Sequence, residues 1–245
     1  MKFNGLVILC VLIGSSISWA DDTARWKESV DRLTVAIKAS PSSEDLYSQR
    51  GDARFFLAEF TTAVADYDRM VELNTELDAG HWRRGIALFY AGESEKAAGQ
   101  FEKYHSFDNV DRENGIWRYL CQRQAFGLEK AREGLLKYEK DDREPFGDVY
   151  RMFEGKITGD ELLDKIRLAK ISETERQKRL FYAELYVGLN EAVEGRADSA
   201  KSHLTLAASN TWGEKAGYGP NYMWQVARLH AAQLANPAPS PPSKP

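Results

Sequence analysis

Gly51, Ala63 and Tyr67 recur as Gly85, Ala97 and Phe101, each 34 positions further along the chain. A fixed spacing of that size marks a helical-repeat array, in which each unit is a pair of antiparallel helices stacked on the next. Two more copies align. Ala131 and Leu135 stand another 34 residues past Ala97 and Phe101, and Gly188, Ala200 and Leu204 reproduce the same internal spacing near the end. Small residues are needed where two helix backbones approach closely. The larger side chain four positions after each alanine lies one turn on, on the same face, where it fills the space beside the next unit. One unit cannot bury its own apolar face, so about three or more must stack.

The remaining segments arrange themselves around these units. Residues 1–20 read as a cleavable secretory signal: Lys2, an apolar run from Leu6 to Ile13, and Ser18-Trp19-Ala20 as a small-x-small site with cleavage after Ala20. That run is shorter than the ~20 apolar residues a membrane helix requires, and no later stretch is long enough, so no integral membrane span is expected. Cys10 falls inside the run and has no small residue before it, which leaves the chain without a lipoprotein acceptor cysteine. The expected location is periplasmic or secreted.

Residues 21–43 should form one amphipathic helix, with Trp26, Val30, Leu33 and Ile37 at helical spacing and Pro41 ending it. Repeats one to three occupy 44–140, with turns at Ala58-Glu59 and Ala91-Gly92-Glu93. An irregular helical insert follows at 141–178, then a terminal unit plus capping helix at 179–235, with Gly195 in the turn. Gly217, Gly219 and Pro220 should break the chain before that last helix, which is expected to cover the far end of the array. The tail, 236–245, carries five prolines and reads as extended. Tyr119 stands where the third repeat should have its glycine, which predicts a looser or shifted pairing there.

The charge of −4, spread over mixed-sign helix surfaces, argues against nucleic acid and anionic lipid as partners. Without the signal one cysteine remains, Cys121, which reads as a buried small hydrophobe. The histidines are His81, His105, His203 and His230; no two lie three or four residues apart, so no metal site is expected. Asp141 and Asp142 sit among Lys137, Lys140 and Arg143 and read as a self-compensated loop. No phosphate loop or nucleophile elbow occurs. The sequence therefore predicts a chain that is not an enzyme and needs no cofactor; an envelope hydrolase is the remote alternative.

The period and the residues that carry it identify the chain as a tetratricopeptide repeat (TPR) protein. The expected fold is all-α, a TPR-type superhelical array of antiparallel helix pairs with N- and C-terminal capping helices. The stretch from Trp82 and Gly85 to Gly92, then Trp117, Tyr119, Leu120, Lys130-Ala131, and the insert Phe146-Gly147, Phe153, Gly155, Ile157 and Leu162 resemble the bacterial NlpI family of envelope TPR proteins. The likeness covers roughly residues 44–235. It implies a periplasmic adaptor, commonly a homodimer, that holds cell-wall hydrolases and a tail-specific protease close together.

In TPR arrays the first helix of each unit lines the concave face. Counted from the glycine, those positions are Ser48, Asp52, Phe55 and Phe56 in the first unit and Trp82, Ile86, Phe89 and Tyr90 in the second. Five of the eight are aromatic, a patch costly to leave wet. Phe55, Phe56, Trp82, Ile86, Phe89 and Tyr90 are thus the predicted groove for protein or peptide partners. The alternative is that the protein's own helices or a second copy fill it, making a homodimeric structural protein. A carboxylate-clamp TPR is not expected, because Ser48, Asp52, Arg83 and Trp117 stand at the clamp positions.

Overall fold

The computed structural model describes residues 19–140 and 143–236, and every regular element among them is helical. The predicted signal lies outside the described residues apart from Trp19 and Ala20; so do Asp141, Asp142 and the tail beyond Asn236. No described helix is long and apolar enough to cross a membrane.

Helix α1 (Trp19–Ala39) packs on α2 (Glu44–Phe56), which pairs with α3 (Phe60–Leu73). A single 3-10 turn, Thr75–Leu77, leads to the next pair, α4 (Trp82–Tyr90) and α5 (Ser94–Phe107). Within each pair the glycine does what its spacing implied. A Cβ on Gly51 would stand 2.6 Å from the Tyr67 ring, and one on Gly85 would stand 2.7 Å from the Phe101 ring. In the late pair a Cβ on Gly188 would stand 2.7 Å from Leu204. Tyr67 and Phe101 therefore rest first on their own unit's glycine and then reach the next unit: Tyr67 meets His81 edge-on, and Phe101 stacks on Trp117. Ala63, Ala97, Ala131 and Ala200 are fully buried.

The turns inside the pairs need a left-handed residue. Gly92 and Gly195 supply it with φ of +80° and +79°, whereas Ala58, at the position equivalent to Gly92, is held at φ 60°. A non-glycine residue there carries a steric cost of ~1–2 kcal/mol, part of which returns as the greater chain entropy of unfolded glycine. Ala58→Gly is accordingly expected to raise the unfolding free energy by about 0.5 kcal/mol, read from the urea midpoint at unchanged m-value.

The third unit departs from the expected pair. Helix α6 (Arg112–Phe126) is complete, but α7 (Leu128–Glu133) has only six residues, and Leu135 lies beyond it in irregular backbone, half-buried. Tyr119 explains the change. Its ring stacks on Phe153 of α8 (Phe146–Phe153), centroids 4.1 Å apart and 12° from parallel, filling the place where a second helix would have approached a glycine. The close approach moves one turn back to Gly115, where a Cβ would meet the hydroxyls of Tyr150 and Tyr138.

The expected insert contains α8 and α9 (Gly159–Leu168), the latter opened by a capping box of Thr158 and Glu161. Helix α10 (Glu173–Val193) starts inside the predicted insert and pairs with α11 (Ala197–Ala208). A five-residue α12 (Thr211–Lys215) precedes α13 (Tyr218–Ala235). Gly219 and Pro220 do not stop that helix; they form its first turn, where a missing N–H is tolerated. Nor does α13 act only as a terminal cap. It packs on α11 and α12 and on the opposite side meets α2, so the last helix lies against the first pairs.

Candidate functional site

The placement of α13 decides what the predicted groove can do. Tyr222 stacks on Phe55 with centroids 5.1 Å apart, and also meets Phe56 at 5.1 Å and Trp82 at 5.0 Å. Tyr90 Oη lies 3.0 Å from His230 Nδ1. Phe55 and Ile86 are fully buried and Phe89 is 5% exposed, while Phe56, Trp82 and Tyr90 are half-buried. The expectation of an open groove along all six residues gives way to the alternative of self-occupation at four of them: α13 covers Phe55, Phe56, Trp82 and Tyr90, with Trp26 of α1 also against Phe56, while Phe89 packs on Trp117.

Polar contacts lock that cover in place. Arg83 donates to Asp52 Oδ1 at 2.7 Å, to Ser48 Oγ at 2.9 Å and to Tyr218 Oη at 2.9 Å. Asp52 also accepts from Tyr67 Oη at 2.6 Å and from Tyr218 Oη. Further along α13, Arg228 donates to Asp22 of α1 at 2.7 Å, and Trp224 Nε1 donates to the Ala208 carbonyl of α11 at 2.7 Å. Burial pushes His230 down to about 4, so it sits neutral against Tyr90.

Beside the first turns of α13 a recess stays open. A hollow of about 390 Å³ is walled by Trp82, Phe101, Trp117, Tyr182, Trp212 and Met223. Asp111, Glu113, Arg143 and Lys178 supply its charged groups, two of each sign. Trp212 is set by Asn210, whose Oδ1 caps α12 by accepting from Trp212 N at 3.0 Å and Gly213 N at 3.2 Å. Gly213 in turn lets the Phe181 ring lie against its backbone. Trp117 is fixed by Phe89, Phe101 and Tyr186, and its buried indole Nε1–H has no hydrogen-bond partner.

Glu113 accepts from Arg143 Nη2 at 2.5 Å and from Tyr186 Oη. Burial outweighs these contacts and pushes its carboxyl up to about 7. Only Trp82 of the six predicted groove residues lines the hollow. Sequence reasoning assigned no site role to Tyr182, Trp212 or Trp117: Tyr182 entered only through the family likeness, Trp117 through that likeness and as a clamp position, and Trp212 not at all.

Another missed set has a plain signal. Arg50, Arg84 and Arg118 each precede the glycine position by one residue and are themselves spaced by 34. Arg50 grips the buried Asp66 of α3, with Nη2–Oδ1 at 2.6 Å. Arg84 reaches Asp68 at 2.6 Å and Gln100 at 2.8 Å, and Arg118 reaches Glu102 at 3.2 Å and the Gly134 carbonyl. The arginines thus tie first helices to the second helices on either side.

Cys121 is fully buried, and burial pushes its thiol well up, so it packs as a hydrophobe. His81 is a packing residue too. Its Nδ1 caps α4 by accepting from Arg84 N at 3.3 Å, and Nε2 lies 3.2 Å from Met70 Sδ. Burial pushes it down to about 3, helped by Arg83 and Arg84. A histidine depressed in the folded state stabilises fully above its unfolded value and loses that contribution as pH falls toward the folded one. Between pH 7 and pH 5 the native chain should therefore lose about 2 kcal/mol more than His81→Asn, a variant that keeps a capping oxygen. Denaturant titrations at the two pH values check this.

No protein-family model matches the chain.

Proposed function

We propose that the chain is a non-catalytic adaptor of the tetratricopeptide type, resembling the NlpI family, that works in the periplasm or outside the cell. It holds segments of protein partners in the aromatic hollow between α4, α6, α10 and α12. The observation that carries this reading is the hollow itself. The array's own last helix takes up the aromatic groove of the first two pairs, and an aromatic-walled recess is left open on the same face. The glycine contacts repeated in three pairs, against a ring in two and against Leu204 in the third, support a TPR-type superhelix.

An adaptor of this kind acts through proximity. Two partners held on one rigid surface meet at effective concentrations that reach millimolar when the geometry fits. Cell-wall hydrolases and a tail-specific protease are the partner classes the resemblance implies, and a homodimer would double the number of hollows.

The test is photo-cross-linking of native envelope neighbours with wild type and with Trp212→Ala, each as the full chain. Neighbours lost in the variant, at unchanged helical content, are the expected outcome; identical neighbour sets would remove the hollow from the function. Turnover of envelope polymers by the pure chain would overturn the non-catalytic reading.

A further inference from the structure

At about 390 Å³ the hollow admits a few side chains, and its charged groups decide which. Both acids of the lining share one guanidinium: Arg143 lies 2.5 Å from Glu113 and 3.4 Å from Asp111. The second cation stands apart from them. Lys178 is 3.7 Å from Glu175, whose closer partner is Arg179 at 2.9 Å. The side chains of Arg143 and Lys178 are 34% and 31% exposed, so a ligand can reach both, whereas that of Glu113 is 14% exposed.

Two carboxylates on one guanidinium disfavour each other's charged form, and the more deeply buried one gives way. That is Glu113, since Asp111 is also tied as the N-cap of α6. Around Glu113 stand Arg143 from the segment before α8, Asp111 at its own helix start, Tyr104 of α5, and Tyr182 and Tyr186 of α10. Burial raises all three phenols, so they stay neutral near pH 7. Glu113 itself, raised by burial to about 7 with Asp111 adding to the effect against Arg143, changes charge there. With Glu113 protonated, Arg143 and Lys178 face Asp111 alone in the lining, and one positive charge is left over. A carboxylate is the group that best answers it.

Building on the adaptor reading, we infer that the hollow takes an acidic side chain of a partner segment, whose carboxylate docks on Arg143 and Lys178 and displaces Glu113, which takes up one proton from solvent. Apolar residues beside that acid rest on the half-buried Trp82 and Trp212. Capture is thereby linked to pH. The chain's own tail does not meet this chemistry, because residues 237–245 contain no Asp or Glu.

The test is a titration of the full chain, followed by tryptophan fluorescence, with the doubly capped peptide acetyl-Ala-Leu-Glu-Leu-Ala-amide and with its glutamine counterpart. At pH 6 the glutamate peptide should bind about ten times more tightly than the glutamine one. Raising the pH to 8 should weaken it about fivefold to tenfold, since Glu113 is then charged and must gain a proton to let go of Arg143. The glutamine peptide should show no such loss. Glu113→Gln, at unchanged helical content, should bind the glutamate peptide at pH 8 as tightly as the native chain does at pH 6, a gain that a merely structural residue would not give. Lys178→Gln should weaken binding about threefold. Equal affinity for the two peptides, or an undiminished pH dependence in Glu113→Gln, would overturn the inference. If neither peptide binds while Trp212→Ala still loses envelope neighbours, the ligand class is wrong and the adaptor reading stands.

Discussion

Phe101→Ala is expected to lower the free energy of unfolding by about 3–5 kcal/mol. The ring is fully buried and stacks on Trp117, with centroids 6.2 Å apart and 15° from parallel. Its edge atoms are the ones a Cβ on Gly85 would strike at 2.7 Å. Removing the ring empties the space between the second and third units, and neither bordering helix can close it without breaking the arginine contacts of Arg84 and Arg118. Because Phe101 and Trp117 both wall the hollow, the variant should also lose partner capture even where it remains folded. Equilibrium denaturation measures the first effect. A loss below 1 kcal/mol would mean that the two units do not share this contact.

Gly115→Ala should cost about 3 kcal/mol, although the change adds one methyl group. That methyl would stand 1.7 Å from Tyr150 Oη and 2.7 Å from Tyr138 Oη. Tyr150 is buried, and its ring lies 5.6 Å from Tyr138 and 6.4 Å from Phe153, so moving it aside sacrifices both ring contacts. Gly99→Ala supplies the contrast. Gly99 lies within α5, and a Cβ there would meet nothing within 4 Å, so alanine should stabilise by about 0.5–1 kcal/mol through helix propensity. The same substitution with opposite signs separates packing from propensity; destabilisation of equal size at both sites would refute the assigned role of Gly115.

The paired helices were legible because a 34-residue spacing of small and large residues records a contact inside each unit. Gly51 with Tyr67 and Gly85 with Phe101 bear this out directly. The third unit was half legible. Tyr119 announced that something must change, but its partner Phe153 lies in α8 at no repeat-related distance, so the outcome could not be counted out along the chain. Helix α13 was misjudged for a reason its composition could have revealed. A cap needs a polar outer face, whereas this helix carries one formally charged residue, Arg228, in 18. Tyr222, Met223, Val226, Ala227 and Leu229 are all buried, which demands apolar neighbours on more than one side. The hollow was least legible, since Trp82, Trp117, Tyr182 and Trp212 come from four helices far apart in sequence and meet only through tertiary packing, not through any local pattern.

Which surface remains available to a partner depends on α13 lying across α2 and α4. The coupling between Phe55 and Tyr222 measures that most directly, since their stacked rings join the second helix to the last across 167 residues of sequence. Unfolding free energies of Phe55→Leu, Tyr222→Leu and the double variant should give a coupling of about 1 kcal/mol, as for aromatic pairs in contact. Additivity within ~0.3 kcal/mol would place the last helix elsewhere and reopen the whole groove.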